Sequence, residues 1–332
     1  MKKWIIAMAI PCLASASVIK THPSECTDVD LRNEALGTSR DQKDVAWCYA
    51  FTASDMLGYT FDLPEKASAA DVAIAYNTTG AGKLVRWLDV NVINRKDEER
   101  RQMAHTTGFN KVALDRAMKN GWCPETVLPS EMWVKRTRYE SGWVEQSMPL
   151  KEAMIEINSL HEQRSKLNAE NLPYYYAFKN ISTPQSFLDL LKTKRMADFY
   201  TNLRTAVCRD DRRPFDYGWK VKMVVKNPRI FKRVNEQLDL GRIVGLDYDS
   251  KVLKDRNYRQ MKIGSLHTSP IVGRRWNNET NSCQYLIRDS YGQSCDSRYD
   301  SSYDCNRGHV WLNESIIYPT MTSVVYMLSP RN

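Results

Sequence analysis

An α+β fold is what this sequence predicts, on three observations. Helical patterns fill the first third of the chain, alternating strand patterns fill its last quarter, and a block of amphipathic helices stands between them. Helices first and strands afterwards, without βαβ alternation, is the order expected of an α+β architecture. There is no internal repeat and no low-complexity linker.

The amino end, MKKWIIAMAIPCLASASV, joins a basic start to a short apolar run and small residues ending in Ala14-Ser15-Ala16. That is the layout of a secretory signal peptide, residues 1–16. The run is shorter than the roughly 18 apolar residues that a membrane helix needs, and no later segment supplies them. The expected mature chain is exported, secreted or periplasmic, and free of the membrane after signal removal. The net charge is +9, but Lys and Arg are scattered rather than gathered into a stripe, so no nucleic-acid partner is expected. Nothing in the sequence sets the oligomeric state.

Residues 48–57 come first as a helix whose Ala50, Phe51, Ala53, Ser54 and Leu57 make it small and apolar nearly all round, hence buried, with Gly58 as its stop. A second helix opens at Ser68-Ala69-Ala70-Asp71, and a third runs from Gly108 to Asn120 and closes at Gly121. Residues 131–230 then predict long amphipathic helices with a basic bias, marked by Leu150, Met154, Ile157, Leu160 and Leu167. A later one is capped by Thr183 with Pro184 in its first turn. This block is expected to be an embellishment packed on the domain. A helix ending at Gly241 follows, then strands over 242–250, 267–276, 283–292, 309–315 and 322–329.

The chain has eight cysteines. Export favours pairing them. If Cys12 leaves with the signal and Cys48 stays free, Cys26, Cys123, Cys208, Cys283, Cys295 and Cys305 allow three disulfides, with Cys295–Cys305 the best local pair. Zinc is the alternative use, disfavoured by the lack of any CxxC. At the start of a buried helix, Cys48 meets the partial positive charge of unpaired amides, a reason for its thiol to ionise and attack carbonyl carbon. Among five histidines, His267 opens a strand that a hairpin folded near Asn278 sets opposite residues 289–292, where Asp289 lies. Nucleophile, base and orienting carboxylate would then meet in one place.

These residues carry a family resemblance. DQKDVAWCYAF (residues 41–51) resembles the nucleophile segment of the papain-like cysteine peptidases, LHTSPIVG (266–273) their histidine strand, and RDSYG (288–292) their Asn-Ser-Trp-Gly segment. TTGFNKVALDRAMKNG (106–121) is similar to the stretch carrying their substrate-binding glycine, and the four occur in family order. The resemblance implies a papain-like two-lobed fold over residues 17–332, with a helical N-terminal lobe, an antiparallel β C-terminal lobe and a helical insertion over about 131–230. It implies a peptide or protein substrate, no cofactor and no metal. Cys48 would be the nucleophile, His267 the imidazole of the ion pair, Asp289 its orienter, and Gln42 an oxyanion donor beside the Cys48 amide. Gly108 would pair with substrate backbone, Phe109 and Thr268 would lie near the selecting pocket, and Tyr291 would shield the His267 to Asp289 bond. Val45 stands where the family has a further cysteine, Asp289 where it has asparagine, and Tyr291 where it has tryptophan. The same residues would serve a cysteine amidase or transpeptidase on cell-wall peptides, or a catalytically silent binding protein of the same fold.

Overall fold

Helix α1 (Cys48–Thr60) is buried along most of its length, as its small and apolar composition requires. The computed structural model describes residues 18–78, 80–88, 91, 107–170, 172–175, 181–216, 218–261 and 265–330, so the predicted signal segment lies outside the described residues. Gly58 does not stop α1. The helix continues to Thr60 and the chain turns at Asp62, where φ is +45°. The next helices, α2 (Ala69–Thr78), α3 (Gly80–Leu88) and α4 (Asn110–Asn120), follow in the predicted region, and Gly121 ends α4 at φ +73°.

The middle block differs from the expected all-helical pattern. It opens with a hairpin of β2 (Met132–Tyr139) and β3 (Gly142–Pro149), joined on β2 by the short β4 (Tyr174–Tyr175). The alternation over this stretch was masked by its many charged and polar residues, and the turn at 140–141 supplies the break. Helices then come as expected: α5 (Leu150–Glu162), which ends short of Leu167, α6 (Pro184–Leu191) with the Thr183 cap, and α7 (Met196–Cys208). The block is tied down covalently and by charge. Cys208 is bonded to Cys123, and Asp71 of α2 is gripped by Arg204 at 2.6 Å and Arg212 at 2.6 Å.

The carboxyl half is one antiparallel sheet. The strands are β1 (Val29–Asp30), β5 (Lys220–Val225), β6 (Val244–Asp249), β7 (Leu266–Asn277), β8 (Ser282–Arg288), β9 (Cys305–Asn306), β10 (His309–Asn313) and β11 (Met321–Leu328). Their order is β5-β11-β6-β7-β8-β10-β9, with β1 paired to β7. β5 was not among the strands the sequence predicted. Between them lie α8 (Ile230–Asp239), closed by Gly241 as expected, the short α9 (Lys251–Lys254) and α10 (Glu314–Thr320).

The sheet has a core on each face, which is why its inner strands β6, β7 and β8, with β10 and β11, are mostly buried. Val272, Leu286, Val325 and Met327 join the helical core containing Phe51, Met56 and Leu57, while Ile271, Ile287 and Val324 join a second core with Phe231 and Leu238 of α8. Alternate residues of one strand therefore serve opposite cores. Two more disulfides, Cys26–Cys283 and the predicted Cys295–Cys305, fix the amino-terminal segment and the loop before β10. Among the described residues no helix is long and apolar enough to cross a membrane.

Candidate active site

Cys48 is the first residue of α1 and the free cysteine among the described residues. Trp47, at the helix boundary, places no side chain over the first-turn amides. The Cys48 amide therefore has no acceptor inside the helix. The sulfur is nearly buried, and the residue after it, Tyr49, forms the floor under Gly108: a Cβ on Gly108 would lie 2.8 Å from the Tyr49 ring. Only glycine allows that approach.

A short antiparallel pairing brings the nucleophile segment to the end of β8. The Gln42 N–H donates to Ser290 O at 2.7 Å, the Gly292 N–H donates to Arg40 O at 3.0 Å, and Asp41 bridges Tyr291. The Gln42 side chain is buried, donating through Nε2 to Val45 O at 2.8 Å and accepting from Ser290 Oγ through Oε1. One N–H of that amide is thus used in holding the loop, leaving the other to face elsewhere.

Beneath these contacts lies a buried ion network. Asp55, two turns along α1 from Cys48, bonds Arg288 at 2.8 Å and Arg40 at 2.8 Å. Arg288 precedes Asp289, and Arg40 stands two residues before Gln42. Burial raises the Asp55 carboxyl pKa, but the two guanidinium groups outweigh it and the net displacement is downward.

His267 and Asp289 meet as the hairpin register implied. The ring Nε2 and Asp289 Oδ1 are 2.8 Å apart, both groups fully buried. Asp289 also accepts from the Ser290 N–H at 2.8 Å and Ser269 Oγ at 3.4 Å on Oδ1, and from Tyr299 Oη at 3.0 Å on Oδ2. Other donors already meet this carboxylate, so Nε2 is the ring nitrogen that donates to it, and Nδ1 is left open to another partner. Tyr291 stacks on the imidazole, ring centroids 5.1 Å apart and planes within 6°, and Tyr248 meets its edge at 5.5 Å. Burial alone would keep His267 neutral, but Tyr291, Asp289 and Cys48 act against it, so the imidazole pKa is raised well above the ordinary value. Among these influences, that of Cys48 ties the sulfur electrostatically to the ring.

Of the residues named from sequence, Cys48, Gln42, His267, Asp289 and Tyr291 share this constellation. Gly108 adjoins it through Tyr49, Phe109 is half exposed at the start of α4, and Thr268 is buried, donating to Asp247 at 2.8 Å. Sequence reasoning missed Tyr299, Ser269, Asp55 and the two arginines. Only Tyr299 had an available signal, since it lies inside the loop that Cys295–Cys305 closes. Among the described residues no cluster of side chains suits a metal ion.

No family model and no curated protein matches the chain. Solved structures do resemble it. A chain from work on antibody cross-reactivity between the mite allergens Blo t 1 and Der p 1 aligns at 12% identity and a TM-score of 0.46, covering 95% of this chain and 75% of that one. The PepW protein of Lactobacillus rhamnosis aligns at 12% and 0.45, covering 90% and 81%. Digestive procathepsin L 3 from the larval midgut of Tenebrio molitor aligns at 11% and 0.45, covering 93% and 72%. Likeness at that level carries no weight for chemistry, which has to be argued from the side chains.

Proposed function

We propose that this chain is an exported thiol peptidase of papain-like type, hydrolysing peptide bonds through Cys48, His267 and Asp289. One observation supports it above the rest: a free cysteine at a helix start lies within electrostatic reach of an imidazole that a buried carboxylate engages through Nε2. The three disulfides agree with export to an oxidising compartment.

In this reading Nδ1 of His267 takes the proton of the Cys48 thiol, and the sulfur adds to the scissile carbonyl carbon. Charge moves to the carbonyl oxygen, which the Cys48 amide and the Gln42 side chain receive. The carbon–nitrogen bond then breaks as His267 gives its proton to the leaving amine, leaving a thioester. Water loses a proton to His267 and attacks the thioester, releasing the acid and returning the thiol. Asp289 keeps the imidazole in one tautomer and stabilises its charged form throughout.

Labelling of Cys48 by a thiol-reactive peptide analogue at mildly acidic pH, where ordinary thiols are protonated, tests the activated pair. Rapid labelling in the wild type and its loss in His267→Ala are expected, and labelling indifferent to that change would refute the pairing. Mass analysis of digested peptides then separates cleavage of peptide bonds from release of ammonia, the outcome that would make the protein an amidase.

A further inference from the structure

The sheet face turned toward α1 and α4 holds a buried carboxylate for which the reaction above has no use. Asp247 on β6 stands opposite Thr268 of β7 and Ser323 of β11, and accepts from Thr268 Oγ1 at 2.8 Å and Ser323 Oγ at 2.6 Å. It is 9% exposed. Asp55 and Asp71, the comparable buried carboxylates of the helical half, each lie between two arginines, whereas no Lys or Arg among the described residues pairs with Asp247. Two hydroxyl donors engage about half of the four lone-pair positions of a carboxylate. Burial raises the Asp247 carboxyl pKa against those two donors, so its charged form is favoured only where something cationic completes it.

Its position is next to the chemistry. Thr268 directly follows His267. Alternation along β6 sets Asp247 on the same face as Gly245, where an added Cβ would meet Asn110 Nδ2 at 2.1 Å and Met56 Sδ at 3.0 Å. Asn110 opens α4 immediately after Gly108 and the half-exposed Phe109, is itself fully buried, and its Oδ1 has no hydrogen-bond partner. A second acceptor short of a donor therefore lies against the same face, contributed by the other half of the molecule. Both deficits are of one kind: oxygen without enough N–H or O–H.

We propose that Asp247, supported by Thr268 and Ser323 and joined by Asn110, forms a subsite for a cationic side chain, arginine or lysine, of the peptide substrate. The proposal rests on the peptidase reading and names its substrate class. A guanidinium or ammonium group donates to the open lone pairs of Asp247 and to Asn110 Oδ1, while a neutral side chain leaves both unmet. The net charge of +9 works against any general attraction for cations, so a preference for them has to be local.

Binding rather than turnover is the readout. Fluorescent peptides that carry arginine or the isosteric, uncharged citrulline at each position in turn are titrated against the Cys48→Ala protein. At one position arginine is expected to bind at least about tenfold tighter than citrulline, the scale of a charge-assisted hydrogen bond. Asp247→Asn is expected to bring that ratio close to one. Equal binding of the two peptides at every position overturns the proposal, and this comparison stands even if Asp247→Asn fails to fold. If the arginine preference is present but the wild type cleaves no peptide, the subsite stands and the peptidase reading falls.

Discussion

Tyr299 donates its phenolic hydrogen to Asp289 Oδ2 at 3.0 Å, on the carboxylate oxygen that His267 does not use. Each oxygen of Asp289 is thus claimed by a different ring, and the carboxylate has no freedom to rotate. Burial first, and then the neighbouring Asp289 charge, push the Tyr299 hydroxyl pKa far up, so it stays a donor. The loop that delivers it is closed by Cys295–Cys305, which limits how far Tyr299 can swing.

Tyr299→Phe keeps the ring and removes this one donor. kcat/KM is expected to fall about tenfold, the usual scale for a lost hydrogen bond to a charged group. A carboxylate with one donor fewer presents more charge to the imidazole, so the alkaline limb of the pH profile should move upward as well. A variant as active as the wild type, with its limb unmoved, would mean that Tyr299 acts only by filling space.

Asp289→Asn should displace the same limb in the opposite direction. His267 has a raised pKa in the fold, burial opposing and the Tyr291, Asp289 and Cys48 groups more than compensating, and asparagine removes the one formal charge bonded to the ring. The charged imidazole is lost at lower pH in the variant, so kcat/KM declines earlier on the alkaline side. The sign for stability follows from linkage. A histidine whose pKa is raised by folding stabilises the fold fully below its unfolded pKa, and that contribution disappears as pH rises through the folded value. Identical limbs in the two proteins would separate Asp289 from the reaction.

Asp55 joins three pieces of the site, α1 with its Cys48, the Arg40 segment with Gln42, and Arg288 next to Asp289. Removing one member of a buried pair leaves unmatched charge behind and costs about 3–5 kcal/mol. Asp55→Ala leaves Arg288 without a carboxylate while Arg40 keeps Glu125 at 3.2 Å, so a loss within that range is expected in urea unfolding. A loss under about 1 kcal/mol would mean that the arginines find other partners easily.

How much of this was legible in the sequence follows from how local each signal is. Cys48 and Gln42 share one short segment, and His267 and Asp289 share one hairpin, so a spacing and a register were enough to name them. The pairing of Gln42 with Ser290 spans 248 residues, and the bond from Arg288 to Asp55 spans 233. No periodicity encodes such distances. The β2 and β3 hairpin was missed for a different reason: β3 is exposed over most of its length and β2 is mostly half-buried, so the contrast between faces that marks a strand is weak. Gly58 failed as a helix stop because glycine permits a left-handed turn without requiring one, and Asp62 makes the turn instead.

His309 offers a stability test at the far end of β8 from the β7 hairpin turn. Its Nε2 lies 3.4 Å from Arg288 Nη1 and its Nδ1 3.2 Å from Arg307 O, which suits the neutral ring: one nitrogen accepts and the other donates. Burial, and then the Arg288 and Arg32 charges, press its pKa down from 6.5 to about 4. On acidification the unfolded chain takes up this proton near pH 6.5 and the folded chain does not until about pH 4. Stability is therefore lost as pH falls through that window, by up to about 3 kcal/mol from this residue. His309→Gln removes the titrating group while retaining a donor and an acceptor. Its unfolding free energy should fall less between pH 7 and pH 4 than that of the wild type. Parallel decline of the two would show that His309 is already protonated in the fold, with Arg288 turned away from it.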